Sequence, residues 1–496
     1  MNNPAVLPPP DTVQKSTAPA PSAASAPAPA PAGQAPPPDP IEAALVRARQ
    51  AAQAKRWNEA MGICQDVLAT AADQPAALAL MGTIHAQRGA VEEGITLLER
   101  ATAQQPNVAG WHANLCALYR LACRTQDAVR AGQTAVRLQS NNPQYLINLA
   151  LALIDLDERG QAVACLLRTL GLDPKEASAH LALGQILLAQ GEMQPGWIEY
   201  EWRNETEAAK GTLPRITSAL WNGMKLQGRL LLIGDQGYGD TIQFARYIPI
   251  AAKLCQGLTV GCSPELAPLI AKLPGIESCH HRWDEIPGHA AHARLSSLPY
   301  LLRTELDTIP WDGPYLSPDP ARVAHWRDVL DTRLGRDRPR IGLAWSGRPT
   351  HPNDRRRSIR LSALLPLSEV AGVHFVSLQR PMPAADVGLL GAFAGLRDDA
   401  DTLSDFEETA ALVTNLDLVI TVDTAVGHLT GAIGRPAWIL TPRPSDWRWL
   451  LERSDSPWYP SVRLFRQPAP GVWDVPVREA AEALRAFVAT NPHAGA

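Results

Sequence analysis

The spacing of small and apolar residues divides the chain into two regions with different periodicity. Between residues 41 and 210 a small residue recurs every 34 positions, and the apolar residues around it have the spacing of amphipathic helices. One column of small residues contains Gly82, Cys116, Ala150 and Gly184, and a second contains Ala60, Gly94, Ala128, Ala162 and Gly196. Because small residues let paired helices approach closely, the two columns predict five helix pairs.

Prolines stand near the junctions of these predicted pairs, where a residue that cannot continue a helix ends one unit. They are Pro75, Pro106, Pro143 and Pro174. The period and the small columns resemble tetratricopeptide repeats. Such arrays offer a concave face to an extended partner, so the resemblance predicts an α-solenoid that binds a protein or peptide.

Asn114 and Asn148 occupy the same position in the first helix of adjacent units. In tetratricopeptide arrays that position faces the groove, where two asparagines can hold the backbone of a bound peptide. The alternative is that both are solvated polar residues on an exposed face. Both interpretations stay open at this point.

From residue 229 the pattern changes to short apolar runs separated by glycine-containing loops and helical segments. These runs predict buried parallel strands in two doubly wound α/β halves, residues 211–320 and 321–496. The runs are 229–234, 258–261, 276–278, 340–347, 374–378, 417–422 and 436–440. In such sheets the residues that bind a ligand lie in loops at the carboxyl ends of the strands. We therefore expect a ligand-binding cleft between the two halves.

Composition and charge exclude several classes of protein. Residues 1–40 are mostly Pro, Ala, Ser and Gln, which predicts a disordered tail. The remainder is typical of a globular protein, and a formal net charge of −4 argues against nucleic-acid binding by bulk charge. No apolar run reaches the roughly 18 residues that span a bilayer, so we expect no membrane insertion. Seven cysteines without a C-x-x-C pair fit a reducing compartment, for which the cytoplasm is the simplest choice.

The first candidate loop follows the run at 229–234 and contains Gly237, Tyr238, Gly239 and Asp240. A glycine-rich turn that enters a helix exposes backbone N–H groups, which can bind a phosphate or a carboxylate. The spacing matches neither the dinucleotide fingerprint nor a P-loop. For Asp240 the spacing favours a helix N-cap, with Gln243 three residues later, over a catalytic role.

Two further loops follow strands of the second half. A basic cluster after the 340–347 run contains Arg355, Arg356, Arg357 and Arg360. Arginine forks suit a diphosphate, although the cluster also fits a solvated helix start. After the 417–422 run, Asp423 and Thr424 can cap a helix with His428 about one turn further on.

Together these loops resemble glycosyltransferase family 9, the heptosyltransferase-type enzymes with the two-domain GT-B fold. The resemblance covers about residues 229–470 and rests most on Asp423-Thr-Ala-Val-Gly-His428-Leu429. With the repeats attached, the layout is also similar to protein O-linked N-acetylglucosamine transferases. The fold implied is α + α/β, with a solenoid followed by a GT-B-like pair of halves.

The resemblance also implies roles for individual residues. Asp240 would be the general base on the acceptor hydroxyl, and Arg357 would contact the donor diphosphate where a lysine is usual. Asp423, Thr424 and His428 would bind the phosphate and sugar of the donor.

The chain departs from the family pattern at one of these positions. Ala425 replaces a glycine, so donor placement changes if that position needs positive φ or close phosphate approach. Gln379, just past the run at 374–378, is a further candidate for contact with the donor ribose.

Aromatic residues are concentrated at two places. Residues 443–449 and 456–460 combine tryptophans and arginines, which could stack on a nucleotide base or fill the core between the halves. Trp197, Tyr200, Trp202 and Trp221 predict a seam that docks the last repeat against the next domain.

Neither of two possible metal-binding segments has a convincing pattern. The acidic run at 398–401 is interpreted as solvated. Cys279-His280-His281 lacks zinc spacing. We therefore predict no metal.

The sequence therefore predicts a cytoplasmic, metal-independent inverting glycosyltransferase with no cofactor beyond its nucleotide-sugar donor. Its repeats would recruit a protein or glycan acceptor. The alternative is a non-catalytic scaffold with a degenerate transferase domain, which the change at Ala425 motivates. A nicotinamide-dependent oxidoreductase is disfavoured by the glycine spacing.

Overall fold

The computed structural model describes residues 39–211, 213, 216–351, 353–398 and 400–490. The predicted tail therefore lies outside the described residues, except for its last two positions. The chain forms two compact units, one that ends at Pro174 and one that begins at Lys175. The predicted boundary at residue 210 consequently lies inside the second unit, which contains the fifth helix pair as well as the α/β region.

The described residues of the first unit form four antiparallel helix pairs. Its helices are α1 (Pro40–Gln53), α2 (Trp57–Thr70), α3 (Pro75–Gln87), α4 (Val91–Gln104), α5 (Ala109–Leu121), α6 (Thr125–Leu138), α7 (Pro143–Asp155) and α8 (Arg159–Leu172). Several begin as helix-start rules expect. Asn142 accepts from the backbone N–H of Gln144 at 3.0 Å, and Pro143 is the first helical residue of α7.

The turn inside each pair shows the same period of 34 residues. The residues with positive φ at this turn are Lys55, Gly89, Cys123, Asp157 and Gly191, with φ between 58° and 88°. Each allows the chain to leave the first helix and enter the second within three residues. Because only two of these five residues are glycine, a search for regularly spaced glycines does not find this set of turns.

Small residues in the two predicted columns lie where helices meet. A Cβ built on Gly82 would be 2.8 Å from the carbonyl oxygen of Gly94, and one on Gly94 would be 2.7 Å from that of Gly82. The backbones of α3 and α4 therefore touch at this point. The prediction that the small columns mark helix contacts is confirmed.

The second unit contains twelve α-helices among its described residues. They are α9 (Ala177–Gln190), α10 (Met193–Tyr200), α11 (Tyr238–Phe244), α12 (Ile248–Ala252), α13 (Ala267–Ile270), α14 (Leu298–Leu301), α15 (Pro320–Leu334), α16 (Asp354–Arg357), α17 (Leu365–Ser368), α18 (Phe406–Thr414), α19 (Ala425–Ala432) and α20 (Asp474–Thr490). The helical stretch predicted after Asp240 is broken by a 3₁₀ turn at Ala245–Tyr247, and Pro249 then stands in the first turn of α12.

Two parallel sheets accompany these helices. Their strands are β1 (Ala219–Leu220), β2 (Arg229–Ile233), β3 (Gly257–Gly261), β4 (Ser278–His280), β5 (Ala291–Arg294), β6 (Arg340–Ala344), β7 (His374–Ser377), β8 (Leu396–Arg397), β9 (Leu418–Val422), β10 (Ala437–Thr441) and β11 (Val462–Arg466). The first sheet has the order β1-β5-β2-β3-β4, and the second has the order β11-β10-β9-β6-β7-β8. All pairs between neighbouring strands are parallel.

The two sheets confirm the predicted parallel α/β region. The central strands β2, β6, β9 and β10 are almost completely buried, as expected for apolar runs covered on both faces. Four strands were not predicted: β1, β5, β8 and β11. In β5 buried alanines alternate with half-buried polar residues, so it does not form an apolar run.

The aromatic seam lies within the second unit and joins α9 and α10 to the α/β region. Trp197 is fully buried and donates its indole N–H to the carbonyl oxygen of Thr304 at 3.0 Å. The hydroxyl of Tyr200 donates to Gln236 Oε1 at 3.0 Å. These contacts confirm the predicted docking role for Trp197 and Tyr200 and explain why the fifth pair belongs to this unit.

Within the described residues, we find no helix whose length and hydropathy suit a membrane crossing.

We expect Gly82→Ala to lower the free energy of unfolding of the first unit by about 1–3 kcal/mol, because the new methyl group would overlap a backbone carbonyl. Gly62→Ala is the matched control, since a Cβ at Gly62 meets nothing within 4 Å. Its gain in helix propensity should raise stability by up to about 1 kcal/mol. Urea unfolding followed by circular dichroism measures both, and equal effects would contradict the close-contact explanation.

Candidate functional site

The first predicted loop lies at the carboxyl end of β2, where Gly237 precedes α11. Asp240 is the third residue of α11, and its Oδ2 accepts from the backbone N–H of Gly237 at 2.8 Å. The prediction of Asp240 as N-cap is therefore wrong by three positions. The helix starts earlier because the carboxylate reaches back to the preceding turn and satisfies an N–H group there.

The two glycines of this loop have separate structural roles. The N–H of Gly237 is engaged by Asp240, as described above. A Cβ on Gly239 would lie 2.9 Å from Cδ2 of His428, so the absence of a side chain at Gly239 lets α11 pack against α19. Binding of phosphate by these glycines stays a prediction.

Asp423 and Thr424 follow β9, and Ala425 is the first residue of α19. Asp423 and Thr424 are each 8% exposed, and the hydroxyls of Thr424 and Thr421 lie 3.1 Å apart. Burial raises the pKa of Asp423 to about 6, and the nearby carboxylate of Asp446 acts in the same direction. The carboxyl group can therefore hold a proton slightly below neutral pH.

Ala425 is a normal helical residue. Because it lies in the first turn of α19, it does not need the positive φ that only glycine adopts easily. The conformational reason for doubting donor placement at this position is thus removed.

His428 lies in α19 and is 5% exposed. Its ring stacks on Trp449 with a centroid distance of 5.1 Å, and its Nδ1 is 3.0 Å from the hydroxyl oxygen of Tyr459. Burial and the nearby Arg448 lower the pKa of His428 to about 3. At neutral pH the imidazole is therefore uncharged and offers hydrogen bonds rather than positive charge.

Arg357 ends the short helix α16 and points toward the loop after β9. Its Nη1 donates to the backbone oxygen of Asp423 at 3.0 Å, and its side chain is 18% exposed. The structure thus brings Arg357 to the start of α19. Arg360 instead pairs with the fully buried Asp386 at 2.8 Å, so the basic cluster is not simply a solvated helix start.

Gln379 is 1% exposed and joins the ends of β6 and β7. Its Oε1 accepts from the backbone N–H groups of Trp345 and Ser346, and its Nε2 donates to the backbone oxygens of Ser346 and Pro381. These four bonds, each between 2.8 and 3.0 Å, use the hydrogen-bonding capacity of the carboxamide. The predicted ribose contact is therefore corrected, because it would require one of them to break.

The loop after β10 supplies a residue that the sequence interpretation missed. Arg448 is 7% exposed and donates to Asp240, to Asp446 Oδ1 at 2.8 Å and to Gln243 Oε1 at 2.8 Å. Burial alone would lower the pKa of Arg448, but Asp446 and Asp240 raise it well above its ordinary value. This arginine links a carboxylate of the first half to one of the second.

The aromatic residues around this loop form core rather than a stacking platform. Trp447, Trp449, Trp458 and Tyr459 are at most 3% exposed. Trp447 meets Trp197 edge to face at 5.3 Å. The core-filling interpretation is thus confirmed, and stacking on a nucleotide base is not supported because no ring face is open.

A second cationic contact joins the halves nearer the surface. The guanidinium of Arg348 lies 5.3 Å from the ring centroid of Tyr238, and Nη2 is 3.4 Å from the tyrosine hydroxyl. Tyr238 belongs to the loop that carries Asp240. His351, in the same loop as Arg348, has a pKa lowered to about 4 by burial and by Arg357.

Asn114 and Asn148 are 5% and 2% exposed and lie between helices of the first unit. Asn114 Nδ2 donates to Thr83 Oγ1 at 3.2 Å, and Asn148 Nδ2 donates to the backbone oxygen of Ala113 at 3.4 Å. The interpretation as solvated residues is therefore wrong. These bonds connect neighbouring repeats, and clamping of a peptide stays a prediction.

A pocket of about 180 Å³ lies beside the candidate site. Its lining includes Tyr200, Arg203, Asp235, Gln236 and Arg294. It therefore adjoins the residues that immediately precede the loop of Asp240. Neither Asp240 nor the donor-side candidates line it.

Among the described residues, no three His, Cys, Asp or Glu side chains are grouped so that they could hold a metal ion. Asp399 of the acidic run lies outside the described residues. Cys279 of β4 lies 3.7 Å, sulfur to sulfur, from Cys262, the residue that follows β3.

Comparison with known proteins identifies the repeats and a relative. A family model for the tetratricopeptide repeat matches residues 51–118. Protein FlbA of Caulobacter vibrioides is 30% identical over 431 residues, which are 80% of this chain and 70% of FlbA. The chain belongs to the FlbA family. Its helix pairs and the family match together show tetratricopeptide repeats in the N-terminal region.

Two solved structures are similar to about a third of the chain. A structure of MamA is 23% identical, with a TM-score of 0.30, and covers 33% of this chain and 95% of MamA. A tetratricopeptide-repeat protein of Thermus thermophilus is 19% identical, with a TM-score of 0.30, and covers 34% of this chain and 93% of that protein.

We expect the stability of the second unit to decrease below pH 6.5 in a way that depends on His428. The unfolded histidine binds a proton near pH 6.5 but the folded one only near pH 3, so the proton favours unfolding over that range. Asp423 has the opposite effect on stability. Because its pKa is raised, the folded state binds a proton at a higher pH than the unfolded state does, so acidification there favours folding.

Between pH 6 and pH 4 the free energy of unfolding should therefore fall by roughly 2 kcal/mol less in His428→Gln than in the wild type. Urea unfolding followed by tryptophan fluorescence measures this, since most tryptophans lie in the second unit. His281→Gln, at an exposed position, is the control. If the free energy of unfolding depended on pH in the same way in the wild type and in His428→Gln, the imidazole would not be buried and neutral.

Proposed function

We propose that the chain is an inverting glycosyltransferase that moves a sugar from a nucleotide-diphosphate donor to a hydroxyl of an acceptor. The α/β region would act as a GT-B pair, with the acceptor on the first half and the donor on the second. One observation supports this most. Asp240, at the carboxyl end of the first sheet, pairs with Arg448 from the carboxyl end of the second, and Gly239 beside it packs against His428 of α19.

The donor side is proposed at the start of α19. The helix has eight residues, and its first N–H groups together with Arg357 offer hydrogen bonds and positive charge to a diphosphate. Thr424 and the neutral imidazole of His428 can bind phosphate or sugar oxygens. Asp423, whose pKa is raised by burial, adds less negative charge than an ordinary aspartate.

The acceptor side is proposed at Asp240. Its carboxylate is 18% exposed, and each oxygen that accepts from Gly237 or Arg448 retains another lone pair for a hydroxyl. In the reaction the acceptor oxygen attacks the anomeric carbon and the bond to the diphosphate breaks. The hydroxyl proton passes to Asp240, and the nucleotide diphosphate leaves with the electron pair.

The repeats would bring the acceptor to this site. Tetratricopeptide repeats support a scaffold role, and protein or peptide acceptors suit their concave face. In a purely scaffolding protein the same groups would persist without transfer. The two functions therefore differ in whether a nucleotide sugar binds and is consumed.

We expect Asp240→Asn to abolish release of nucleotide diphosphate while donor binding persists, because the amide cannot accept the proton. Release is measured with UDP-N-acetylglucosamine, UDP-glucose, GDP-mannose and ADP-heptose, and binding by thermal shift. A donor at 100 times its dissociation constant adds about 2.7 kcal/mol of stability. Asp319→Asn, which changes an N-cap outside the site, is the control. Unchanged release in Asp240→Asn would remove this residue as the base.

We expect Arg357→Ala to reduce the thermal shift given by whichever donor of the panel binds, because a charge-assisted contact to the diphosphate is lost. Arg338→Ala is the matched control, since Arg338 precedes β6 at the opposite edge of the sheet and is 52% exposed. Equal shifts in both variants would place the diphosphate elsewhere. No shift with any donor would favour the scaffold.

A further inference from the structure

Arg448 is a buried charge that the proposed reaction does not yet use. Its three guanidinium nitrogens donate to three different side chains, Asp240, Asp446 and Gln243. Its guanidinium carbon also lies 4.2 Å from the ring centroid of Trp447. The planar guanidinium fixes the directions of these hydrogen bonds as well as their lengths, which the ammonium group of a lysine cannot do.

The position of Arg448 links two parts of the site. Asp240 and Gln243 lie on α11 of the first half, whereas Asp446 and Arg448 lie in the loop after β10 of the second half. Asp240 is held at Oδ2 by the N–H of Gly237 and at Oδ1 by Arg448. Without Arg448 the carboxylate would keep one fixed contact and could rotate about it.

A neighbouring arginine provides a comparison. Arg246 is 4% exposed and also joins the halves, but its guanidinium donates to backbone oxygens of Gln243 and Trp458 and to the hydroxyl of Tyr315. None of these partners is a candidate for proton transfer. Arg246 is therefore a buried arginine between the halves that lacks the contact with Asp240.

We propose that Arg448 is a positioning residue for transfer, which orients the carboxylate of Asp240 toward the acceptor hydroxyl when the two halves are in register. This inference rests on the proposed function. Arg448 does not touch the reacting atoms and acts through Asp240. Its loss should therefore lower the rate of the chemical step more than it weakens donor binding.

The test compares Arg448→Lys with Arg246→Lys in the full-length chain. We expect Arg448→Lys to reduce kcat for nucleotide-diphosphate release roughly 10- to 100-fold, with little change in donor KM. Arg246→Lys should lower thermal stability but keep kcat close to the wild-type value. The donor is the member of the four-sugar panel that the wild type consumes.

A second pair of variants separates positioning from folding. Guanidinium, added well below unfolding concentrations, should restore part of kcat in Arg448→Ala but not in Arg246→Ala.

Three outcomes overturn the inference. Wild-type kcat in Arg448→Lys does so, as does an equal loss in both lysine variants without guanidinium rescue. These two results leave the proposed transfer intact. Failure of the wild type to release nucleotide diphosphate from any donor overturns the proposed function together with this inference.

Discussion

The candidate site depends on a buried guanidinium having suitable partners on both α/β halves. Removing a charge from water costs several kcal/mol unless hydrogen bonds and opposite charges replace the solvent. Arg448 meets this requirement with two carboxylates and one carboxamide, drawn from α11 and from the loop after β10. If the halves slid past one another, the bonds from Arg448 to Asp240 and Gln243 would be lost together, so the contacts that offset burial of the charge also fix the register of the halves.

The repeat region depends on a different constraint, the close approach of backbones. Gly82 and Gly94 permit contact between α3 and α4, and the residues with positive φ at 34-residue intervals permit the sharp turns between paired helices. Polar groups then connect neighbouring repeats. Asn148 and the pair of Arg120 with Asp155, at 2.5 Å, span α5 and α7, which makes these buried polar residues part of the framework.

Features set by local spacing could be predicted from the sequence, and features set by distant contacts could not. The helix pairs and the buried strands β2, β6, β9 and β10 were visible because period and apolar runs are local properties. β5 was missed because half its residues are polar. The ion pair of Asp240 with Arg448 joins residues 208 positions apart, and no spacing rule connects them.

The same distinction applies to residues whose roles changed. Gln379 follows a strand in a position that suits ligand binding, yet its carboxamide is engaged by four backbone groups of nearby loops. Asn114 and Asn148 have the right register for a groove, but their burial depends on helices of adjacent repeats. The sequence pattern predicts where each residue lies, after a strand or in a repeat. Its role depends on side-chain and backbone partners, which the pattern does not predict.

The charge distribution differs between the two sides of the candidate site, Asp240 on the first half and the start of α19 on the second. His428 is neutral at physiological pH because burial and Arg448 lower its pKa, so it cannot supply the positive charge that a leaving diphosphate needs. Arg357 and the N-terminus of α19 remain as sources on that side. Asp423 has a raised pKa and opposes them least when it carries a proton. In the proposed transfer the carboxylate of Asp240 would accept the proton on one side, while Arg357 and the N-terminus of α19 would stabilise the departing diphosphate on the other.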